Sequence, residues 1–223
     1  MSEKTEPHQG GEPHQSDEPH HDCNLCPRLH DFIAEQRLLH PTWHNGPVPA
    51  FGDQNARLMI AGLAPGLRGA NQSGRPFTGD FAGDLLYETI DRFGFSRGKF
   101  AARPDDGLEL TDCLIVNAVR CVPPQNKPTT AEIKTCNRFF QSQISAMANL
   151  QVIVALGKIA HDAILLNFGL VRGHYKFAHN AVHDLEKVIL IDSYHCSRYN
   201  TNTRRLTPDM FYDVFETVRE KLV

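Results

Sequence analysis

Four short apolar runs govern what this chain can fold into: residues 57–61 (Arg-Leu-Met-Ile-Ala), 113–119 (Cys-Leu-Ile-Val-Asn-Ala-Val), 152–156 (Val-Ile-Val-Ala-Leu) and 188–191 (Val-Ile-Leu-Ile). None alternates apolar with polar, so each reads as a strand buried on both faces. Helical spacing occupies residues 81–93, a segment starting near Thr129, and residues 158–168; further helices are predicted at 27–39 and from Pro208. Strands separated by helices require crossover connections. The expected fold class is α/β, a four-stranded parallel sheet with helices on both faces. At 223 residues the chain has room for one such domain with a substantial core.

Open parallel sheets bind ligands outside the carboxyl ends of their strands. The loop after the first run, residues 62–84, is long and unusual. Five of its first eighteen residues are glycine, and Phe77 is the only aromatic among them. Glycines let backbone N–H groups approach a ligand closely. The loop lacks G-x-G-x-x-G and the Lys-Ser/Thr ending of a phosphate loop. One aromatic face, a nest of N–H donors and a carboxylate suit a small planar polar ring better than a phosphate. Asp80 and Asp84 both stand at the following helix start. Either could cap it or serve chemistry. The second run delivers Asn117, followed by a Pro-rich loop at 120–128. The fourth leads to Tyr194, His195 and a basic, aromatic stretch with Arg198, Tyr199, Arg204 and Arg205. Three loops at one edge of a parallel sheet can share a cleft.

Charge first argues against nucleic acid, then relents. The total is −3, but residues 1–22 carry six acids and one lysine, a net −5, which leaves +2 for the rest. A mildly basic folded part permits DNA binding. Residues 1–22 are rich in Glu, His, Pro and Gln without apolar periodicity, so they read as a disordered tail, and residues 23–223 as the single domain. Their histidines (His8, His14, His20, His21) are irregularly spaced, which favours a solvated tail over a dedicated metal site. The bases Arg92, Arg97, Lys99 and Arg103 surround an irregular stretch at 94–107 and read as a solvated face. No apolar run approaches the ~20 residues of a membrane span, and no signal-peptide pattern opens the sequence, so a cytoplasmic protein is expected.

The chain has six cysteines. In a reducing compartment they point to metal or redox chemistry rather than disulfides. Cys23 and Cys26 form C-x2-C at the head of a predicted helix, and Cys121 and Cys136 follow farther on with fourteen residues between them. Four thiolates can hold one tetrahedral zinc or one [4Fe–4S] cluster, and spacing does not choose between them. Cys113, in a strand, and Cys196, in a later loop, read as non-ligands.

These motifs together resemble the uracil-DNA glycosylase superfamily, specifically its family 5, the iron–sulfur "b" class. The resemblance covers about residue 23 to the C-terminus. It rests on Cys-Asn-Leu-Cys-Pro-Arg-Leu at 23–29, Gly-Leu-Ala-Pro-Gly at 62–66 with Gly-Arg-Pro-Phe-Thr-Gly-Asp at 74–80, Asn-Ala-Val-Arg-Cys at 117–121, and His-Cys-Ser at 195–197 with Asn200 and Arg205-Leu206-Thr207. The sister class, family 4, carries an acid where Leu63 stands. Family 4 and a non-catalytic iron–sulfur nucleic-acid binder are the alternatives, with a zinc-stabilised nucleoside hydrolase more remote.

What the resemblance implies is a three-layer sandwich and a monomeric, monofunctional DNA glycosylase acting on double-stranded DNA. It would excise uracil, and other deaminated bases such as hypoxanthine, in base-excision repair. The flipped base would stack on Phe77 and meet Asn117, the Gly62-Leu63-Ala64 backbone and His195. Asp80 and His195 would be catalytic, with Asp84 the rival for the water-orienting role. Ser197, Arg198, Tyr199, Asn200 and Arg205 would contact DNA, and a [4Fe–4S] cluster would sit on Cys23, Cys26, Cys121 and Cys136. One departure stands out: Cys196 replaces the proline of the family's His-Pro-Ser motif. That removes a backbone restraint and puts an oxidisable thiol beside the expected site.

Overall fold

The computed structural model describes residues 17–222. In chain order the elements are α1 (Pro27–Leu39), β1 (Phe51–Gly52), β2 (Leu58–Gly62), α2 (Ala70–Ser73), α3 (Phe81–Arg92), β3 (Ser96–Arg97), β4 (Glu109–Leu110), β5 (Cys113–Asn117), α4 (Thr130–Ala146), β6 (Val152–Leu156), α5 (Lys158–Asn167), β7 (Val182–Asp184), β8 (Ile189–Ser193), α6 (Arg198–Asn202) and α7 (Pro208–Lys221). The four expected strands lie parallel and adjacent, β5-β2-β6-β8. Every residue of β2, β5 and β6 is buried, which is why their sequences carry no two-residue alternation.

The main sheet has six strands rather than four. Antiparallel β1 pairs with β5 (Phe51↔Ile115) and antiparallel β7 with β8 (His183↔Leu190), one at each edge. Two- and three-residue strands are too short to show periodicity, and β7 carries exposed and charged residues typical of an edge. The irregular stretch at 94–107 is also more ordered than expected, because β3 and β4 on its flanks pair as a separate ribbon.

Successive side chains of a strand point to opposite faces, and two apolar clusters follow that rule. Leu58, Ile60, Ile115, Val154 and Ile191 face α3 and α7 through Leu86, Ile90, Phe211 and Phe215. Met59, Ala61, Leu114, Ile153 and Leu190 face the other way, onto Phe140 of α4 and Ile164 of α5. A third cluster, with Leu29, Ile33, Val119 and Val122, surrounds Cys121 and Cys136 beneath α1. Helix starts are explicit in the sequence. Thr129 and Glu132 form a reciprocal capping box, and Thr207 caps α7 ahead of Pro208.

Of the stretch expected to be disordered, residues 1–16, including His8 and His14, lie outside the described residues. Residues 17–22 lie against the domain. The Asp17 N–H donates to Ser142 Oγ at 2.8 Å, Arg37 donates to Asp22 at 2.8 Å, and Arg120 pairs with Glu18 at 3.2 Å.

Candidate active site

The loops after β2, β5 and β8 converge on one cleft of about 770 Å³. Leu63, Ala64, Phe77, Asp80, Asn117 and His195 line it, with Ser197 and Arg198 on its rim. Gly62 lies beneath: an added Cβ there would come within 2.4 Å of Asn117 Oδ1 and 2.8 Å of Phe77 Cζ. Asn117 is held beside it because the β2–β5 ladder runs on, Ala118 N–H to Gly62 O and Val119 N–H to Leu63 O, both 2.9 Å.

Phe77 is buried yet has φ +52°, the left-handed region that disfavours a bulky residue. Such strain costs on the order of 1–3 kcal/mol and persists only when its surroundings enforce it. Here they do. Tyr87 donates its hydroxyl to Pro76 O at 2.7 Å. Arg75 donates to Thr78 Oγ1 at 2.7 Å and makes two bonds to Asp106 at 2.7 and 2.8 Å. Asp106 in turn accepts from the Ala101 and Leu108 N–H groups, and the Arg75 guanidinium lies over the rings of Phe51, Tyr87 and Phe100. Arg75 and these donors hold the Asp106 carboxyl well below the usual carboxylate range. Sequence reading missed Asp106 and Tyr87 as supports of Phe77. Arg75 stood in the quoted motif, but nothing in the irregular stretch marked its partner.

Asp80 caps α3. Its Oδ1 accepts from the Ala82 and Gly83 N–H groups at 3.1 and 3.2 Å. Its Oδ2 lies against Gly66 and Gly69; a Cβ on Gly69 would sit 2.6 Å away, so that glycine makes room for the carboxylate, while one on Gly66 would be in ordinary contact at 3.4 Å. Burial pushes the carboxyl above its ordinary pKa, against those two donors. Capping and a role in the cleft are therefore compatible, since each oxygen is free for one of them. Asp84 is exposed on α3 and lines a separate hollow with Tyr87 and Lys99.

His195 packs with its ring centre 5.9 Å from that of Phe77 at 32°. Burial lowers its pKa to about 4, so the imidazole is neutral near pH 7. Asn200, expected to contact DNA, donates a side-chain N–H to His195 O at 2.8 Å and so braces the loop carrying the imidazole. Ser197 caps α6, Arg198 lies over Phe81, Arg205 lies over Tyr194, and Tyr199 is 71% exposed. Cys196 is not an oxidisable thiol facing the cleft: it is fully buried in the core. The side chains alternate along this extended segment, so His195 takes the cleft side and Cys196 the core side.

The four other motif cysteines meet. Cys23, Cys26, Cys121 and Cys136 line one small cavity between the start of α1, the loop after β5, and α4. Among the described residues, the only three metal-ligating atoms within 4.8 Å of one another belong to His161, His183 and Asp192. Four cysteine sulfurs on one cavity are a donor set that suits an iron–sulfur cluster or a zinc ion. The His161 group is a hydrogen-bonded network: Asp192 meets His161 at 2.7 Å and His183 at 3.0 Å, and His161 Nε2 meets Tyr175 O at 3.0 Å. It ties β8 to α5 and β7.

The model of the uracil DNA glycosylase superfamily matches residues 49–219. A Type-5 uracil-DNA glycosylase of Thermus thermophilus is 43% identical over 199 residues, 86% of this chain and 90% of that protein. The Type-5 enzyme of Pyrobaculum aerophilum is 36% identical, covering 86% of each chain. That of Mycobacterium leprae is 37% identical over 89% of this chain and 90% of its own.

Proposed function

The chain belongs to the uracil DNA glycosylase superfamily, and from that premise we propose that it hydrolyses the N-glycosidic bond of deoxyuridine in DNA, with deoxyinosine as a further substrate. The observation that carries this reading is the meeting of Phe77, Asn117 and His195 in one cleft. The similarity to Type-5 proteins favours that class over Type-4, in keeping with Leu63 at the sister class's acidic position.

A base is reached only after it leaves the stack. An extrahelical uracil lies on Phe77, a stack worth about 1–3 kcal/mol by analogy with single-strand platforms. Asn117 offers a carbonyl to N3–H and an amide donor to O4. Hypoxanthine presents the same pair, N1–H beside a carbonyl, so the same amide can read it. As the C1′–N bond lengthens, negative charge gathers on the departing base and positive charge on the sugar. Neutral His195 donates to uracil O2 and stabilises the leaving anion. Asp80 Oδ2 orients the water that adds to C1′ and offsets the sugar's charge, while Oδ1 stays fixed to the helix start. The water's oxygen bonds C1′, its proton passes to the carboxylate or solvent, and an abasic site remains. Among the described residues, no lysine lines the cleft to continue with a lyase step. Every side chain in this scheme comes from one chain, so a monomer suffices.

Arg198 lines the cleft and the adjacent Tyr199 is exposed; in this scheme they contact phosphate and fill the vacated stack. Cys23, Cys26, Cys121 and Cys136 would hold a [4Fe–4S] cluster, whose contribution would be to tie α1 and α4 to the loop that follows Asn117. None of the helices among the described residues is long and apolar enough to cross a membrane.

The test is release of free base under single-turnover conditions from U·G, hypoxanthine·T and single-stranded uracil oligonucleotides. Release of uracil that is lost on Asp80→Asn substitution supports the reading. Binding of uracil-containing DNA without base release would reduce the protein to a binder.

A further inference from the structure

Among the described residues, Arg120 is the largest fully buried side chain, 1% exposed. Its Nη2 donates to Glu18 Oε1 at 3.2 Å, while Nε and Nη1 have no partner. A buried cation lacking acceptors on two of its nitrogens is expensive, and removing it from water is repaid only by anions or strong acceptors nearby. Glu18 is one such anion, but it is a third exposed and reaches only one nitrogen.

Arg120 borders the cavity lined by Cys23, Cys26, Cys121 and Cys136. Its own backbone N–H donates to Cys136 Sγ at 3.4 Å. Neutral thiols are weak acceptors. Four thiolates on an iron–sulfur cluster make a net anionic group, the acceptor this guanidinium lacks. We propose that Arg120 is the internal counter-cation of the metal cluster, and that Glu18 partly offsets it from the far side. This rests on the cluster reading given above.

Cluster potentials respond to local charge and to hydrogen bonds at the sulfurs. Reduction adds negative charge, so a neighbouring cation favours the reduced form and a neighbouring anion disfavours it. The two partners therefore have opposite signatures. Residue 120 lies between Asn117, in the cleft, and Cys121, so the same charge also anchors the base-binding loop to the cluster.

The experiment uses the full chain purified without oxygen, with iron and sulfide assayed first. Arg120→Gln should lower the reduced-to-oxidised ratio about tenfold at a fixed potential, a downward shift of about 59 mV for one electron. It should also speed chelator bleaching about tenfold. Arg120→Lys should retain most of the wild-type potential. Glu18→Gln, at the partly exposed end of the pair, should shift the potential upward, and it keeps the test open if Arg120→Gln does not fold. Wild-type protein without iron and sulfide sinks the cluster reading, and this inference with it. A loaded cluster whose potential ignores both charge changes, or moves the same way in both, sinks the inference alone.

Discussion

The side-chain oxygen of Asn117 occupies the space a Cβ on Gly62 would need, 2.4 Å from it, with Phe77 Cζ at 2.8 Å on the same spot. A bare backbone at residue 62 thus lets the polar reader and the stacking ring approach each other. Gly62→Ala should displace both side chains while the strand persists. Because misplacements near 1 Å can cost about 100-fold, kcat/KM on uracil DNA should fall about 10- to 100-fold with a cooperative melt retained. Steady-state kinetics beside calorimetry would check this, and an unimpaired variant would mean that the close approach is irrelevant.

Asp80→Asn separates chemistry from stability. Asparagine caps a helix about as well as aspartate, so α3 should persist. Burial raises the folded-state pKa of Asp80 above its unfolded value of 3.8. Its favourable contribution is therefore present below the unfolded pKa and lost as pH rises through the folded one. At neutral pH the variant should melt no lower than wild type, while base release falls at least about 100-fold. The acid limb of kcat/KM should lie above the ordinary aspartate pKa and vanish in the variant.

For His195 the sign is reversed. Its folded pKa of about 4 lies below the unfolded 6.5, so the unfolded chain takes up the proton first and stability should fall as pH drops from 6.5 toward 4. His195→Ala should remove that slope from pH-dependent melting curves. It should also slow excision by about 10²–10³, corresponding to about 2.7–4 kcal/mol for a lost donor to the leaving anion.

Asp106→Asn would leave the Arg75 guanidinium buried without its anion. Breaking such a pair typically costs about 3–5 kcal/mol, and chemical denaturation should show a loss of that order. Tyr87→Phe, which removes only the hydroxyl bond to Pro76 O, should cost about 1 kcal/mol. It should weaken substrate binding more than it destabilises the fold, because that bond adjoins the strained backbone of Phe77.

Cys196 and Cys113 should resist alkylation in the folded protein. Both are fully buried, and burial pushes their thiols far above the usual range, which leaves no thiolate to react. Mass spectrometry after iodoacetamide treatment, with and without denaturant, would reveal modification only in the unfolded chain.

Much of this architecture was written locally. The buried strands appear as unbroken apolar runs because both faces are covered. Helix starts were legible from Thr129, Pro208 and Asp80 before α3, since capping acts over three or four residues. Phe77, Asn117 and His195 could be placed in one cleft because parallel strands send their loops to one edge. The edge strands β1 and β7 could not be read, as two or three residues leave no period.

What sequence by itself determined, then, is the strand set, the side of the sheet that carries chemistry, and the identity of the thiol quartet. Tertiary structure alone decided which aspartate enters the cleft, that Asn200 serves His195, that Cys196 turns into the core, and that Arg75 meets Asp106. The reason is physical. Patterning and capping act between neighbours along the chain, whereas burial and the partner of a charge depend on which distant segments the fold brings together.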